Sequence, residues 1–317
     1  MFHRIILVSV CCISFAGFAS ADLLVKSGQK VAFMGDSITA GGWDLPGGYV
    51  KLTAQGLATL GAEIVPIPAG VGGNTSRDMV ARLDRDVLSK KPDWLTLSCG
   101  VNDVWHGKDG CTLEEYEKNI TSIVDQAEKA GIKVLILTST PIGEDLTEDN
   151  NKKLIIYNDF LRQFAAQRQL PVAEENGAFQ EALKGHDLDR PYLTMDGVHP
   201  NTDGSQVMAT ALLAAFGATP AQITQVQQAW TDAPGDAFAH AGFGFGIDAP
   251  ISIKQYDALR KIAVSRKVPM RSLFEGIYLD CIADAEIAHR GDPIPDAGKV
   301  QQDAQKAFSA KLADLTK

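Results

Sequence analysis

Ser37, Asp196 and His199 are the residues of this chain whose types and settings can do chemistry together. Asp196 and His199 stand i, i+3 in Met195-Asp196-Gly197-Val198-His199-Pro200. On one turn the carboxylate can reach the imidazole Nδ1, fix the tautomer and leave Nε2 facing a nucleophile. Ser37 lies in Gly35-Asp36-Ser37-Ile38-Thr39, just past the apolar run Lys30 to Met34, where an open α/β sheet places its ligands. A serine activated by a base that an acid orients is the nucleophile of acyl transfer, and Ser, Asp, His is one of several chain orders that build it. Each piece alone has a plainer reading. Gly-Asp-Ser also describes a helix N-cap, and Asp196 to Gly204 also describes a turn before a capped helix. No Gly-x-Ser-x-Gly elbow surrounds Ser37, so the standard α/β-hydrolase assignment does not apply.

A tetrahedral oxyanion needs donors, and two more loops at strand ends supply them. Gly70-Val71-Gly72-Gly73-Asn74-Thr75 offers the Gly73 backbone N–H, and Gly100-Val101-Asn102-Asp103 offers the Asn102 side-chain amide. Each loop alone is also an ordinary turn. Asn74, Trp43, Trp105 and His106 adjoin these segments as candidate substrate contacts. The tryptophans suit stacking on a sugar ring and equally suit packing.

Taken in order, Gly35-Asp36-Ser37-Ile38, Gly73-Asn74-Thr75, Gly100-Val101-Asn102-Asp103 and Asp196-Gly197-Val198-His199 resemble the four blocks of the SGNH hydrolases, the GDSL-like esterase and lipase superfamily. The resemblance implies Ser37 as nucleophile, His199 as general base and then acid, and Asp196 as its orienting partner. It implies an oxyanion hole of the Ser37 and Gly73 N–H groups with the Asn102 side chain. It further implies a three-layer α/β/α sandwich on a five-stranded parallel sheet of the flavodoxin-like kind, and no metal or cofactor. Ile38 stands where the family name has Leu, and the Gly72-Gly73 pair leaves two glycines as candidate donors. The resemblance covers about Val31 to Phe216 and does not extend to Thr219 to Lys317.

The elements that must position these residues read as repeated βα units. Strands are expected at Lys30 to Met34, Glu63 to Ile67, Trp94 to Cys99, Lys133 to Thr138 and Leu170 to Ala173. Helices are expected near Gly48 to Leu60, Ser76 to Lys90, Thr112 to Ala130, Glu148 to Gln169 and Thr202 to Phe216. Thr112 with Glu115 forms a capping box, and Gly131 and Gly217 are stop signals. Beyond Gly217 the pattern turns helical, with Thr219-Pro220-Ala221-Gln222 as a helix start, a glycine-rich break from Ala241 to Gly246, and helices from Ser252 and Met270. No further strand is expected. Residues 1–21 form the expected signal peptide, 22–218 the hydrolase domain and 219–317 a C-terminal helical extension.

A basic start, the apolar run Ile5 to Phe18 and the small residues Ala19-Ser20-Ala21 make that leader a cleaved secretory signal, shorter than a spanning helix. Export to a periplasm, envelope or medium follows, with no integral membrane segment afterwards. Of five cysteines, Cys99, Cys111 and Cys281 lie past the leader. Cys99 reads as a buried free thiol, and a Cys99–Cys111 bridge is open. Hydrophobic residues at 45% with 22% charged describe a globule rather than a disordered chain, and a net charge of -9 argues against nucleic-acid partners.

The expected function is a secreted serine esterase of short acyl groups, acetyl above all, on a carbohydrate or small-molecule ester. Two further enzyme readings stand beside it. One is a lipase- or thioesterase-type acylhydrolase of the same family; the other is a metal phosphoesterase built on Asp36, Asn102, His186, Asp187, Asp189, Asp196 and His199, which leaves Ser37 and the glycines unexplained. A non-catalytic carbohydrate-binding envelope protein on the same fold is the third alternative.

Overall fold

The computed structural model describes residues 22–185, 192–232, 237–241, 247–268, 270–289 and 297–317. The expected signal peptide, and His186, Asp187 and Asp189 of the metal reading, lie outside the described residues.

Five strands, β1 (Lys30–Gly35), β2 (Val65–Gly70), β3 (Trp94–Ser98), β4 (Lys133–Leu137) and β5 (Val172–Ala173), form one parallel sheet in the order β2-β1-β3-β4-β5. The apolar runs that suggested them are buried: Val31 to Met34 and Val134 to Leu137 are at most 1% exposed. That suits a sheet covered on both faces. The second strand begins and ends later than the sequence suggests, because Pro66 and Pro68 mask it. They fit because β2 is an edge strand. Val65 and Val71 donate inward to Gln29 O and Gly35 O, so the even-numbered prolines turn their missing N–H away from β1.

The helices of this part are α1 (Ser37–Asp44), α2 (Tyr49–Thr59), α3 (Ser76–Asp86), α4 (Val101–Trp105), α5 (Leu113–Lys129), α6 (Asp149–Arg168), α7 (Glu175–Ala182) and α8 (Thr202–Ala215). Helices α3, α5 and α6 pack together on one side, and α2 and α8 pack together on the other, giving the α/β/α layering. Helix α5 shows why such segments fold: the Thr112 hydroxyl accepts the Glu115 N–H, and Tyr116, Ile120, Ile123, Val124 and Ala127 are buried along one face. Helices α1, α4 and α7 have no counterpart in the sequence reading, since segments of five to eight residues are too short to show a period.

The C-terminal part is more than helical. It holds α9 (Pro220–Asp232), β6 (Ala237–Ala241), β7 (Ile247–Ile251), α10 (Ile253–Arg266), α11 (Met270–Ala288) and α12 (Ala297–Leu315). The antiparallel pair β6–β7 corrects the expectation of no further strand. Three of the five residues of β6 are Ala, and β7 contains Asp248 and Pro250, so β-propensity did not mark them. Helix α9 docks on the body where α2 carries Gly56, since a Cβ there would lie 2.8 Å from Leu213 Cδ1 and 2.9 Å from Val226 Cγ1. Trp230 completes the contact, its indole N–H donating to Leu52 O at 3.2 Å. Tyr256, Leu259, Phe274, Phe308 and Leu312 form the buried centre of the remainder.

All three cysteines past the leader are free and buried, which closes the option of a Cys99–Cys111 bridge. The Cys99 thiol donates instead to the buried Asp103 carboxylate at 3.5 Å.

Candidate active site

The site forms where β1, β3 and β4 end. Chain leaving β1 must turn at once into α1, and a Cβ on Gly35 would collide with the Thr39 hydroxyl, so only glycine fits there. Asp36 caps α1 by accepting the Ile38 N–H at 2.9 Å, and Ser37 is the first residue of the helix. Burial pushes the Asp36 carboxyl up to about 6, against the Ile38 hydrogen bond.

Asp196 and His199 sit on a tight loop closed by the antiparallel bridge Thr194–Pro200 and by the Met195 N–H donating to His199 O at 2.8 Å. Gly197 takes φ +97° at its apex, and its carbonyl accepts the Gly143 N–H at 2.7 Å. Beneath the loop lies Glu144, 6% exposed. Its carboxylate accepts the N–H groups of Tyr192 (2.6 Å), Leu193 (2.8 Å) and Thr194 (2.8 Å) and the Thr194 hydroxyl (2.6 Å). Asn201 fastens the far end, donating to Tyr192 O at 2.9 Å while its Oδ1 caps α8 through the Gly204 N–H.

On this support the loop reaches back across the sequence to α1. His199 Nε2 is 2.9 Å from Ser37 Oγ, and His199 Nδ1 is 2.7 Å from Asp196 Oδ2. The other Asp196 oxygen accepts the Val198 and His199 N–H groups at 3.0 and 2.8 Å. Partial burial raises the Asp196 pKa, but the hydrogen bonds from the His199 ring and the two backbone groups outweigh it and hold the carboxyl at about 2. The Asp196 hydrogen bond in turn raises the His199 pKa, with burial opposing it. The neutral imidazole thus keeps its proton on Nδ1, and Nε2 can accept one from Ser37.

The two glycine loops close the other side. Gly100 takes φ +137° where a Cβ would strike Ser139 Oγ, and α4 then carries the buried Asn102. Its Nδ2 donates to Asn74 O at 3.0 Å and to Asp36 Oδ2 at 3.4 Å, beside Ser37. Gly73 has φ +75°, and the adjacent Gly72 runs against the serine, with its Cβ direction 3.8 Å from Ser37 Cβ. Asn74 spends its side-chain oxygen on Arg82 Nε at 2.6 Å. That arginine, 6% exposed, also donates to Gly35 O (2.7 Å), Ala69 O (2.8 Å) and Asp86 (3.0 Å), tying the ends of β1 and β2 to the Asn74 loop. Trp43 is partly buried against the core, with Lys51 Nζ 6.0 Å from its ring centre. Trp105 ends α4 at 46% exposure, its ring centre 6.5 Å from that of the exposed His106.

Glu144 and Arg82 are the residues that sequence reasoning missed. Each is one ordinary charge in its own segment, and only long-range hydrogen bonds give it a role. A cleft of about 90 Å³ opens beside Ser37 and His199, lined by Ile38, Gly41, Gly42, Leu45, Met195 and Pro200. Among the described residues no three His, Cys, Asp or Glu side chains converge as a metal ion requires.

Residues 33–207 match the model of the GDSL-like lipase/acylhydrolase family. The chain is 29% identical over 212 residues to an acetylxylan esterase of Geobacillus stearothermophilus, covering 61% of this chain and 96% of that one. The crystal structure of that esterase superposes with a TM-score of 0.56 at 30% identity, over 62% of this chain and 98% of the other. A lipoprotein, YqeF, of Bacillus subtilis is 25% identical over 58% of this chain and 86% of its own length. Esterase TesA of Pseudomonas aeruginosa is 28% identical over 54% of this chain and 80% of its own. With a five-stranded parallel sheet of matching fold beneath its blocks, the chain belongs to the GDSL-like lipase/acylhydrolase family, the SGNH hydrolases, and is a carboxylic ester hydrolase.

Proposed function

We propose that this protein is an exported esterase that removes short acyl groups, acetyl in particular, from carbohydrate through a Ser37 acyl-enzyme. The observation that carries the reading is the 2.9 Å contact between Ser37 Oγ and His199 Nε2 at the mouth of a cleft of about 90 Å³. That volume is well below the roughly 300–1,000 Å³ of pockets that enclose larger ligands. Ile38, Leu45, Met195 and Pro200 suit it to a methyl-sized acyl end rather than a long chain.

Ser37 Oγ attacks the ester carbonyl while His199 Nε2 takes its proton and Asp196 stabilises the imidazolium. Negative charge collects on the carbonyl oxygen, where the Ser37 and Gly73 N–H groups and the Asn102 amide donate. His199 returns the proton to the departing sugar hydroxyl, and water activated by the same nitrogen then releases the acid. Trp105 and His106, exposed at the end of α4, are the surface on which a sugar ring would rest, while Trp43 packs against the core. The similarity to an acetylxylan esterase supports acetylated carbohydrate as the substrate class. Catalytic-mutant structures of that enzyme replace one Ser, one Asp and one His, the Asp and His spaced i, i+3 as Asp196 and His199 are here. Export rests on the leader ending Ala19-Ser20-Ala21 and is compatible with the lipoprotein relative. No helix among the described residues is long and apolar enough to cross a membrane. Residues 22–218 then act as the catalytic unit and 219–317 as an added one.

The test is intact-mass analysis after a fluorophosphonate probe, run on the wild type and on Ser37→Ala, with turnover of p-nitrophenyl acetate, p-nitrophenyl octanoate and acetylated xylan. A single adduct on the wild type alone, with acetate far ahead of octanoate and acetate released from xylan, is expected. A preference for octanoate would move the reading to a lipase or thioesterase, and a folded wild type with neither adduct nor turnover would end it.

A further inference from the structure

The loop that carries Asp196 and His199 is held from inside by Glu144, but it is also gripped from outside, by the C-terminal part of the chain. Tyr192 begins the loop, with its N–H bound to Glu144 and its carbonyl to Asn201. Its hydroxyl accepts Arg260 Nη1 of α10 at 3.3 Å. Asp203, in the first turn of α8 just past the loop, is 9% exposed, and its carboxylate lies 3.5 Å from the same Arg260 nitrogen. Asp257, one turn back on α10, accepts Arg260 Nη2 at 2.9 Å and so orients the guanidinium. One side chain therefore spans both ends of the segment Tyr192 to Asp203 that presents the acid and the imidazole.

Arg260 lies outside residues 33–207, the stretch that matches the family model. Relatives that align over nearly their whole length cover only about three-fifths of this chain, so the contact comes from what this chain has in addition. The ordinary explanation for such an ion pair is glue between two parts of a protein. The placement is more specific than glue requires. Asp203 is buried and would be left uncompensated without Arg260, and Tyr192 is directly continuous with the Glu144-bound strand of the loop.

We propose that Arg260 is a positioning residue for ester hydrolysis, through which the C-terminal extension holds the Asp196–His199 loop in register with Ser37 by way of the Tyr192 hydroxyl and the Asp203 carboxylate. The proposal rests on the esterase reading above. A loop displaced by a fraction of an ångström would lengthen the Ser37–His199 contact, a penalty that falls on kcat while substrate binding is kept.

The experiment uses the full chain, with active sites counted by fluorophosphonate titration, and compares wild type, Arg260→Gln, Arg260→Lys, Tyr192→Phe and the Arg260→Gln/Tyr192→Phe double variant. Lys311→Gln, which breaks the Asp284 ion pair inside the extension, away from Arg260, is the control and should match wild type. Arg260→Gln should lower kcat per titrated site about tenfold with KM little changed. Tyr192→Phe should lower it by a smaller factor, and the double variant by less than the product of the two. Arg260→Lys should recover part of the rate, because a single ammonium cannot span both ends. A wild-type kcat in Arg260→Gln and Tyr192→Phe overturns the proposal, as does a loss accounted for wholly by fewer titratable sites. Should Arg260→Gln not fold, Tyr192→Phe, which removes one oxygen atom, decides alone. An inert and unlabelled wild type would instead overturn the esterase reading itself.

Discussion

Asp196 serves His199 with both oxygens at once, Oδ2 on the ring Nδ1 at 2.7 Å and Oδ1 on the His199 backbone N–H at 2.8 Å. The carboxylate therefore sets the ring's tautomer and the local backbone together. On the proposed mechanism Asp196→Asn keeps the shape but reverses the preferred tautomer, and kcat should fall on the order of 10⁴. Steady-state turnover of p-nitrophenyl acetate, with circular dichroism to verify the fold, checks it; turnover close to wild type would remove Asp196 from the chemistry.

The same contact sets the pH dependence. Asp196 stays ionised down to about 2, and its hydrogen bond raises the His199 pKa above the ordinary 6.5. His199 must be neutral to accept the Ser37 proton, so kcat/KM should rise with pH through a limb centred above 6.5. In the folding equilibrium the raised His199 pKa contributes stability below 6.5 that is lost as pH climbs through the folded value. A limb centred below 6.5 in the pH–rate profile would contradict the pairing.

Asn102 is buried, with its amide shared between Asn74 O and Asp36. Asn102→Ala should lower kcat by about 10² to 10³ with a smaller change in KM, because the donor matters most once charge has moved onto the carbonyl oxygen. Measuring both constants with one acetate ester separates this from a loss of ground-state binding.

Glu144 accepts four donors, three of them backbone N–H groups of the loop below His199. Glu144→Gln removes the charge and turns an NH₂ toward N–H donors. It should cost about 2–3 kcal/mol of stability and lower kcat as well. Urea unfolding together with turnover at a temperature where the variant is folded tests both effects.

Glu175 is a contrasting buried acid, 0% exposed with neither carboxyl oxygen hydrogen-bonded. Burial, and secondarily the nearby Asp36 charge, push its pKa well above the ordinary 4.5. Replacing it with an apolar side chain of similar length, Glu175→Met, should raise stability by about 1–3 kcal/mol. A carboxyl that binds its proton more tightly when folded makes stability fall as pH rises above 4.5, so the advantage of the variant should widen with pH. Calorimetric melting at pH 4.5 and 8 measures it, and a destabilised variant would show that Glu175 has a partner of its own.

Much of the candidate site is legible in the sequence because it is local. The i, i+3 pair Asp196–His199, the Gly35-Asp36-Ser37 segment at the end of β1 and the glycine loops carry their meaning within a few residues, and buried parallel strands are continuous apolar runs. What escaped was long-range. Glu144 meets Thr194 across 50 positions and Arg82 meets Gly35 across 47, and nothing near either residue announces its partner. The β6–β7 pair escaped because each strand is only five residues long, with alanine at three positions of β6 and a proline inside β7, composition that reads as helix or turn. The edge strand β2 was shifted because its prolines are tolerated only where the next strand is missing, a fact of topology rather than composition.

Ser37 and His199 stand 162 positions apart, and their contact exists only after β1, β3, β4 and the loop beyond β5 have all found their places. Closing so long a stretch of chain, in a sheet whose parallel pairings are all non-local, belongs among the slow steps of folding. On the proposed mechanism Ser37 is therefore a clock for a late event in self-assembly. During refolding, helical signal should return first, and covalent capture of Ser37 should mark the moment the molecule is finished.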